Sequence, residues 1–176
     1  GEERWQQFFK ANGLIFSQLF AYPAILFNDK AYVGGTTLFN KEGKITDFLY
    51  KNKFTGNVAF IEIKTDKTTL MSKKPYRGTT VFSISSQLSG AINQVLDQKA
   101  NFEKEFYGLK AKTSEEFTTQ NSRCFIIIGN LRSLSKEQKE SFELFRNSCK
   151  DVEIVTFDEL LSKIETIFDM FKIEKD

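Results

Sequence analysis

The amino-acid sequence predicts an α/β fold in which a mixed sheet, an antiparallel meander plus parallel strands, is flanked by helices. Three observations carry that expectation. Apolar residues near the start recur at helical spacing, and residues 25–65 break into short β-rich runs between turn residues. The remainder then alternates long amphipathic stretches with short, continuously apolar runs. With 176 residues the chain can bury one sizeable core, and residues 1–176 read as a single domain. An opening of Gly1-Glu2-Glu3 without Met reads as a domain excised from a longer chain.

Each element has its own signal. Trp5, Phe8, Phe9, Asn12, Ile15, Phe16, Leu19 and Phe20 predict one long helix or two short ones over residues 2–20, with Gly13 as the possible break. The runs AYVGG at 31–35, KITDFLY at 44–50 and NVAFIEIK at 57–64 predict a three-stranded antiparallel meander. Its turns fall at Asn40-Lys41-Glu42-Gly43 and at Lys53-Phe54-Thr55-Gly56-Asn57. Residues 66–82 are polar and basic, hold Pro75 and Gly78, and read as a loop. Ile84, Leu88, Ile92, Val95, Phe102, Phe106 and Leu109 then form the stripe of a long helix. CFIIIG at 124–129 has the pattern of a strand buried on both faces. Ser135 with Gln138 forms a capping box that opens a helix to about Cys149. Val152–Val155 is a further short strand, and Thr156 with Glu159 caps a last helix to about Lys172.

Composition excludes several chemistries. Lys+Arg 25 against Asp+Glu 23 gives a net charge of +2, so any basic surface must be local. The absence of His removes Ser-His-Asp and Cys-His catalysis, His-ligated zinc and any imidazole base. Two cysteines, Cys124 and Cys149, make neither a disulfide framework nor a zinc site. No apolar run approaches the ~20 residues of a membrane span, and no signal peptide opens the chain, so no membrane partner is expected. Gly34-Gly35 lacks the helix and Lys-Ser/Thr of a phosphate loop, and Gly129-Asn130 reads as a turn, so no nucleotide cofactor is expected either. The 19 phenylalanines lie on helical and strand stripes and read as core.

One constellation can carry chemistry. Glu62 and Lys64 lie two apart in a strand and leave the same face. A hairpin closed symmetrically about residues 54–55 sets Asp47 opposite Glu62, with Cβ atoms roughly 5 Å apart. Two carboxylates facing each other among Phe48, Phe60, Ile61 and Ile63 repel unless a cation lies between them. Oxygen-only ligands favour Mg²⁺ or Mn²⁺ over zinc. The bland alternative is a structural ion-pair cluster at a sheet edge.

Asp47 followed by Glu62-Ile63-Lys64 on the next strand, between two helices, resembles the PD-(D/E)XK nuclease superfamily, with Thr46 where the motif's name has Pro. The strings IEIKTDKTTLMSKKPYRG, SISSQLSGAINQVLDQK, IIIGNL and VEIVTFDELLSKIE extend that likeness over nearly the whole chain, which looks like the nuclease domain of the Shedu anti-phage defence proteins. The resemblance implies a restriction-endonuclease-like fold and a bacterial, cytoplasmic, Mg²⁺-dependent DNA endonuclease in which Mn²⁺ can substitute. It also implies a homo-oligomer, dimer or tetramer, larger than this chain.

Carried over residue by residue, Asp47 and Glu62 match the metal-ligand positions and Lys64 the catalytic lysine. The carbonyl of Ile63 matches a further ligand. Gln94 matches a glutamine near the lysine and the phosphate, and reads equally as a helix-face residue bonded to a neighbour. Glu2 and Glu3 are both candidates for an acid supplied by the first helix. Glu2 is preferred because it leaves on the side of Trp5 and Gln6. Arg77, beside Tyr76 in the family's loop, is the candidate phosphate or structural anchor, and Lys73 and Lys74 are weaker candidates for DNA contact. The competing functional readings are a catalytically inactive nuclease-fold domain that binds DNA or a phage trigger, and a plain interaction domain.

Overall fold

Along β2 (Lys44–Asn52) and β3 (Asn57–Ile63) successive side chains must point to opposite faces, and the runs Phe48–Tyr50 and Val58–Ile61 are apolar on both. Such strands need cover on both sides, and the chain supplies it with helices. The computed structural model describes residues 1–33 and 44–172, and the predicted turns at 34–35 and 40–43 lie outside them. One face of the sheet buries Leu49, Val58, Phe60, Cys124 and Ile126 against α3 (Ser86–Ala111) and α4 (Lys136–Ser148) through Leu88, Val95, Phe102 and Phe142. The other buries Phe48, Tyr50, Ile61, Ile63, Phe125 and Ile127 against α1 (Glu2–Ala11), α2 (Leu14–Ser17) and α5 (Phe157–Lys172).

The sheet runs β1-β2-β3-β4-β5, with β1 at Ala24–Val33, β4 at Thr118–Ile127 and β5 at Val152–Val155. The first three strands pair antiparallel, and β3, β4 and β5 pair parallel, giving the mixed α/β sheet that the sequence predicts. The β2–β3 ladder from Lys51↔Val58 to Phe48↔Ile61 keeps the register of the symmetric hairpin, and one further step sets Asp47 against Glu62. Asn52 closes the turn by accepting from the N–H groups of Phe54 and Thr55, while Gly56 adopts φ 71°.

Several boundaries differ from the sequence reading for identifiable reasons. The first helical stretch takes the second form the sequence allowed, two helices, because the chain turns at Asn12-Gly13 between them. β1 starts at Ala24, and β4 starts at Thr118, six residues ahead of its apolar run, because edge and flanking residues can pair without being apolar. Ser85 caps α3 by accepting from the Leu88 N–H, so Ile84 lies outside the helix and bridges Met71 instead. The stretch read as a loop at 66–82 contains a second bridge, Arg77↔Val81. The capping box at Ser135 and Gln138 is present, and Glu159 accepts from both the N–H and the hydroxyl of Thr156. Among the described residues no helix is long and apolar enough to cross a membrane.

Gly129 ties this framework to the end of β3. It adopts φ 60°, its N–H donates to the Thr65 carbonyl at 3.0 Å, and its own carbonyl accepts from Phe157 at 3.0 Å. A Cβ there would meet the Thr68 carbonyl oxygen at 2.6 Å and the Leu70 side chain at 2.8 Å. Both the backbone conformation and the close approach require glycine. Gly129→Ala is therefore expected to cost about 2 kcal/mol, a fall of roughly 4–8 °C in Tm, measured by thermal denaturation.

Candidate functional site

The last residues of β3 carry the site because the strand leaves the sheet there. Lys64 N–H donates to the Ile127 carbonyl at 2.9 Å, which fixes the backbone just beyond the last paired residue, Ile63. Glu62 and Lys64 thus share a face, and their side chains meet, with Lys64 Nζ 2.6 Å from Glu62 Oε1. Asp47 on β2 accepts from the Ile63 N–H through Oδ2 at 2.7 Å, a side-chain clasp across the two strands.

Helix α1 closes the site from the other side. Trp5 packs on Phe157 at 4.4 Å between ring centroids and donates its indole N–H to Asp66 at 3.0 Å. That contact sets the helix so that Glu2 and Gln6, one turn apart, both face the acids. Gln6 Nε2 donates to Asp47 Oδ1 at 2.5 Å, and Glu2 lies 3.8 Å from Lys64 Nζ. One carboxylate oxygen from each of Glu2, Asp47 and Glu62 lies within 4.8 Å of the others. Glu3 is exposed and is not a member of that group.

Helix α3 supplies the remaining partners. Gln94 Nε2 donates to Glu62 Oε1 at 2.6 Å, and Gln98 Nε2 donates to Glu62 Oε2 at 3.1 Å. Being four residues apart, the two amides lie on one helix face and hold both oxygens of one buried carboxylate. Glu62 is 1% exposed and Asp47 is 7% exposed.

Burial governs the charges. It pushes the Asp47 carboxyl up to about 7; Glu62 and Glu2 add to the rise, and the Ile63 N–H and Lys64 oppose it. Burial also raises Glu62, even though Lys64 and Gln98 stabilise its ionised form. For Lys64 burial acts downward, but the Glu62 hydrogen bond and the charges of Glu62, Glu2 and Asp47 outweigh it and hold the ammonium protonated. Three carboxyl groups against one ammonium would carry excess negative charge if all were ionised, and burial opposes that by favouring the protonated forms of Asp47 and Glu62. The donors are all oxygens, the set that fits a hard divalent cation.

A family model described as Shedu protein SduA, C-terminal, matches residues 1–161 of the sequence. The chain belongs to that family. It is also 37% identical over 177 residues to a Shedu protein SduA of Bacillus cereus (strain B4264), covering 97% of this chain and 46% of the relative. The chain thus spans less than half the length of this curated relative. The matched residues include every side chain of the acid cluster and both amides of α3, and stop within α5.

Of the residues singled out in the sequence, the structure brings Asp47, Glu62, Lys64, Gln94 and Glu2 together, with Ile63 joined through its N–H. Arg77, Lys73 and Lys74 are exposed on the segment between β3 and α3 and touch none of the three acids. Sequence reasoning missed Gln6 and Gln98. Gln98 had a visible signal, as a polar residue on the stripe of Leu88, Ala91, Val95 and Phe102. Gln6 had none beyond its place beside Trp5.

The raised acids predict a pH dependence of stability. Asp47 holds its proton to about 7 in the folded chain against 3.8 in the unfolded one, so the unfolded state binds fewer protons between those values. Without divalent cations, stability should fall as pH rises from about 4 to about 7, with Glu62 acting in the same direction. Asp47→Asn should flatten that slope in denaturant titrations across the same range.

Proposed function

We propose that this chain is the metal-dependent DNA endonuclease domain of a bacterial protein that defends against phage. Membership of the Shedu family supports the defence role. The observation that carries the chemistry is the convergence of Glu2, Asp47 and Glu62 within 4.8 Å beside a protonated Lys64. Mg²⁺, or Mn²⁺ in its place, would be held by those carboxylates with the Ile63 carbonyl, and would supply Lewis-acid activation of water and neutralisation of phosphate charge.

The chain's own groups have distinct tasks. Lys64, fixed by Glu62, presents an ammonium that orients the attacking water or offsets charge developing on a phosphate oxygen. Glu62 is held at both oxygens by Gln94 and Gln98, so it cannot rotate away from its neighbours. Asp47 is held in the same way by Gln6 and the Ile63 N–H. This chain has no imidazole to take a proton, so a cation held by those carboxylates would be needed to activate the attacking water. The DNA backbone is contacted by Arg77, with Lys73 and Lys74 beside it. A net charge of +2 gives one copy a weak field for DNA, so tight binding would need several copies, as in a homo-oligomer, or residues outside this chain.

Cleavage of supercoiled plasmid and linear duplex tests the reading in the full-length protein. Cutting should require Mg²⁺ or Mn²⁺ and stop in EDTA, and Lys64→Ala should lose about a hundredfold or more in rate. A folded full-length protein that cuts neither substrate with either metal rejects the reading.

Metal binding is measured separately from activity. Mg²⁺ or Mn²⁺ should raise the Tm of the wild type and not of Glu62→Gln, and Gln98→Met should weaken the apparent metal affinity about 10–100-fold. Equal shifts in wild type and Glu62→Gln would refute the site.

A further inference from the structure

Between β3 and α3 the chain builds a ribbon that the acid site does not use. Met71 bridges Ile84, Ser72 N–H donates to the Ser83 carbonyl at 2.8 Å, and Tyr76 N–H donates to the Val81 carbonyl at 2.7 Å. Gly78, at φ 59°, turns the tip. Helix α4 braces the ribbon from one side. Gln138 Nε2 donates to the Ser72 carbonyl at 2.9 Å, and Ser141 Oγ accepts from the Phe82 N–H at 3.1 Å. At the base, Leu70 and Met71 are buried.

This braced ribbon presents an unusual surface. Tyr76 is 81% exposed, although the bond from its N–H to the Val81 carbonyl holds its backbone. Lys73, Lys74 and Arg77 around it are exposed and make no ion pair among the described residues. From residue 67 to residue 96 the sequence has Lys67, Lys73, Lys74 and Arg77 and no carboxylate, in a chain whose net charge is only +2. A held-out ring among unpaired cations suits a partner that offers a planar face beside a line of negative charge.

We propose that the ribbon 71–84 is a nucleic-acid arm in which Tyr76 stacks on a base face while Lys73, Lys74 and Arg77 meet the adjoining phosphates. The inference rests on the DNA reading above and adds a base contact to it. A nucleic acid is favoured over a lipid surface because the arm offers one ring and a half-exposed Val81, too little apolar area to anchor in a bilayer. The arm begins at Met71, seven residues after Lys64, which directly follows β3.

The test uses the full-length protein in EDTA with single-stranded and mismatched duplex oligonucleotides carrying 2-aminopurine. Tyr76→Ala should weaken single-strand binding about fivefold or more and abolish the change in 2-aminopurine fluorescence, and Tyr76→Phe and Tyr76→Trp should restore both. The dependence of log affinity on log salt should be unchanged by Tyr76→Ala. The triple Lys73→Ala, Lys74→Ala, Arg77→Ala variant should lower that slope by about 2 for single strands. An unchanged Tm for Tyr76→Ala checks that the fold is intact.

Wild-type affinity and fluorescence in Tyr76→Ala would overturn the arm, while Lys64-dependent cleavage would leave the nuclease reading standing. Loss of binding to phosphatidylserine vesicles in Tyr76→Ala, with oligonucleotide affinity unchanged, would overturn it in favour of a membrane. No oligonucleotide binding by the wild type would also overturn it.

Discussion

Burying two carboxylates side by side in a sheet is the constraint on which the rest of the site depends. Asp47 and Glu62 repel one another and have lost most of their water, so each needs donors from elsewhere in the fold. The chain answers with a backbone N–H from Ile63, an ammonium from Lys64 and three amides, from Gln6, Gln94 and Gln98. These partners come from the end of one strand, β3, and from two helices on opposite faces of the sheet. The acid pair is therefore tied to every layer, and even so burial holds both acids above their ordinary range. An arrangement that fully satisfied its charges would not leave that excess.

The mixed sheet makes such a gathering possible. β2 and β3 run antiparallel and bring Asp47 and Glu62 into register, whereas β3 and β4 run parallel, which frees the end of β3 to leave the sheet beside Ile127. The crossover between the parallel strands is α3, so the helix that covers Phe60 also reaches Glu62. On the other face Trp5 fixes α1, and the helix that buries Phe9 delivers Glu2 and Gln6. Packing and chemistry share the same elements, and a core substitution that shifts α1 or α3 would be felt at the acids.

The ribbon between β3 and α3 extends the same logic outward. A long polar connection is ordinarily a solvated loop, but here two bridges and two contacts with α4 hold it in one shape. Its cations have no internal partners among the described residues, so their charge is directed at whatever approaches. The site and the ribbon are consecutive in the chain, and α4 holds the ribbon in place through Gln138 and Ser141.

How much of this was legible in the sequence follows from the range of the forces involved. Strand alternation and helical stripes are local, so the order of elements, the hairpin register and the cap at Ser135 could be read directly, and with them the pairing of Asp47, Glu62 and Lys64. Gln94 and Glu2 were readable only as candidates, because one helix face does not say which strand it covers. Gln6, and the amide pair that Gln98 completes on Glu62, belonged to the tertiary structure. So did the division between Glu2 and Glu3 and the conversion of a basic loop into a braced ribbon. The sequence by itself determined which residues share a face. Only the packed layers decided which faces meet, because those contacts join residues 32 to 66 positions apart through packing that no local period encodes.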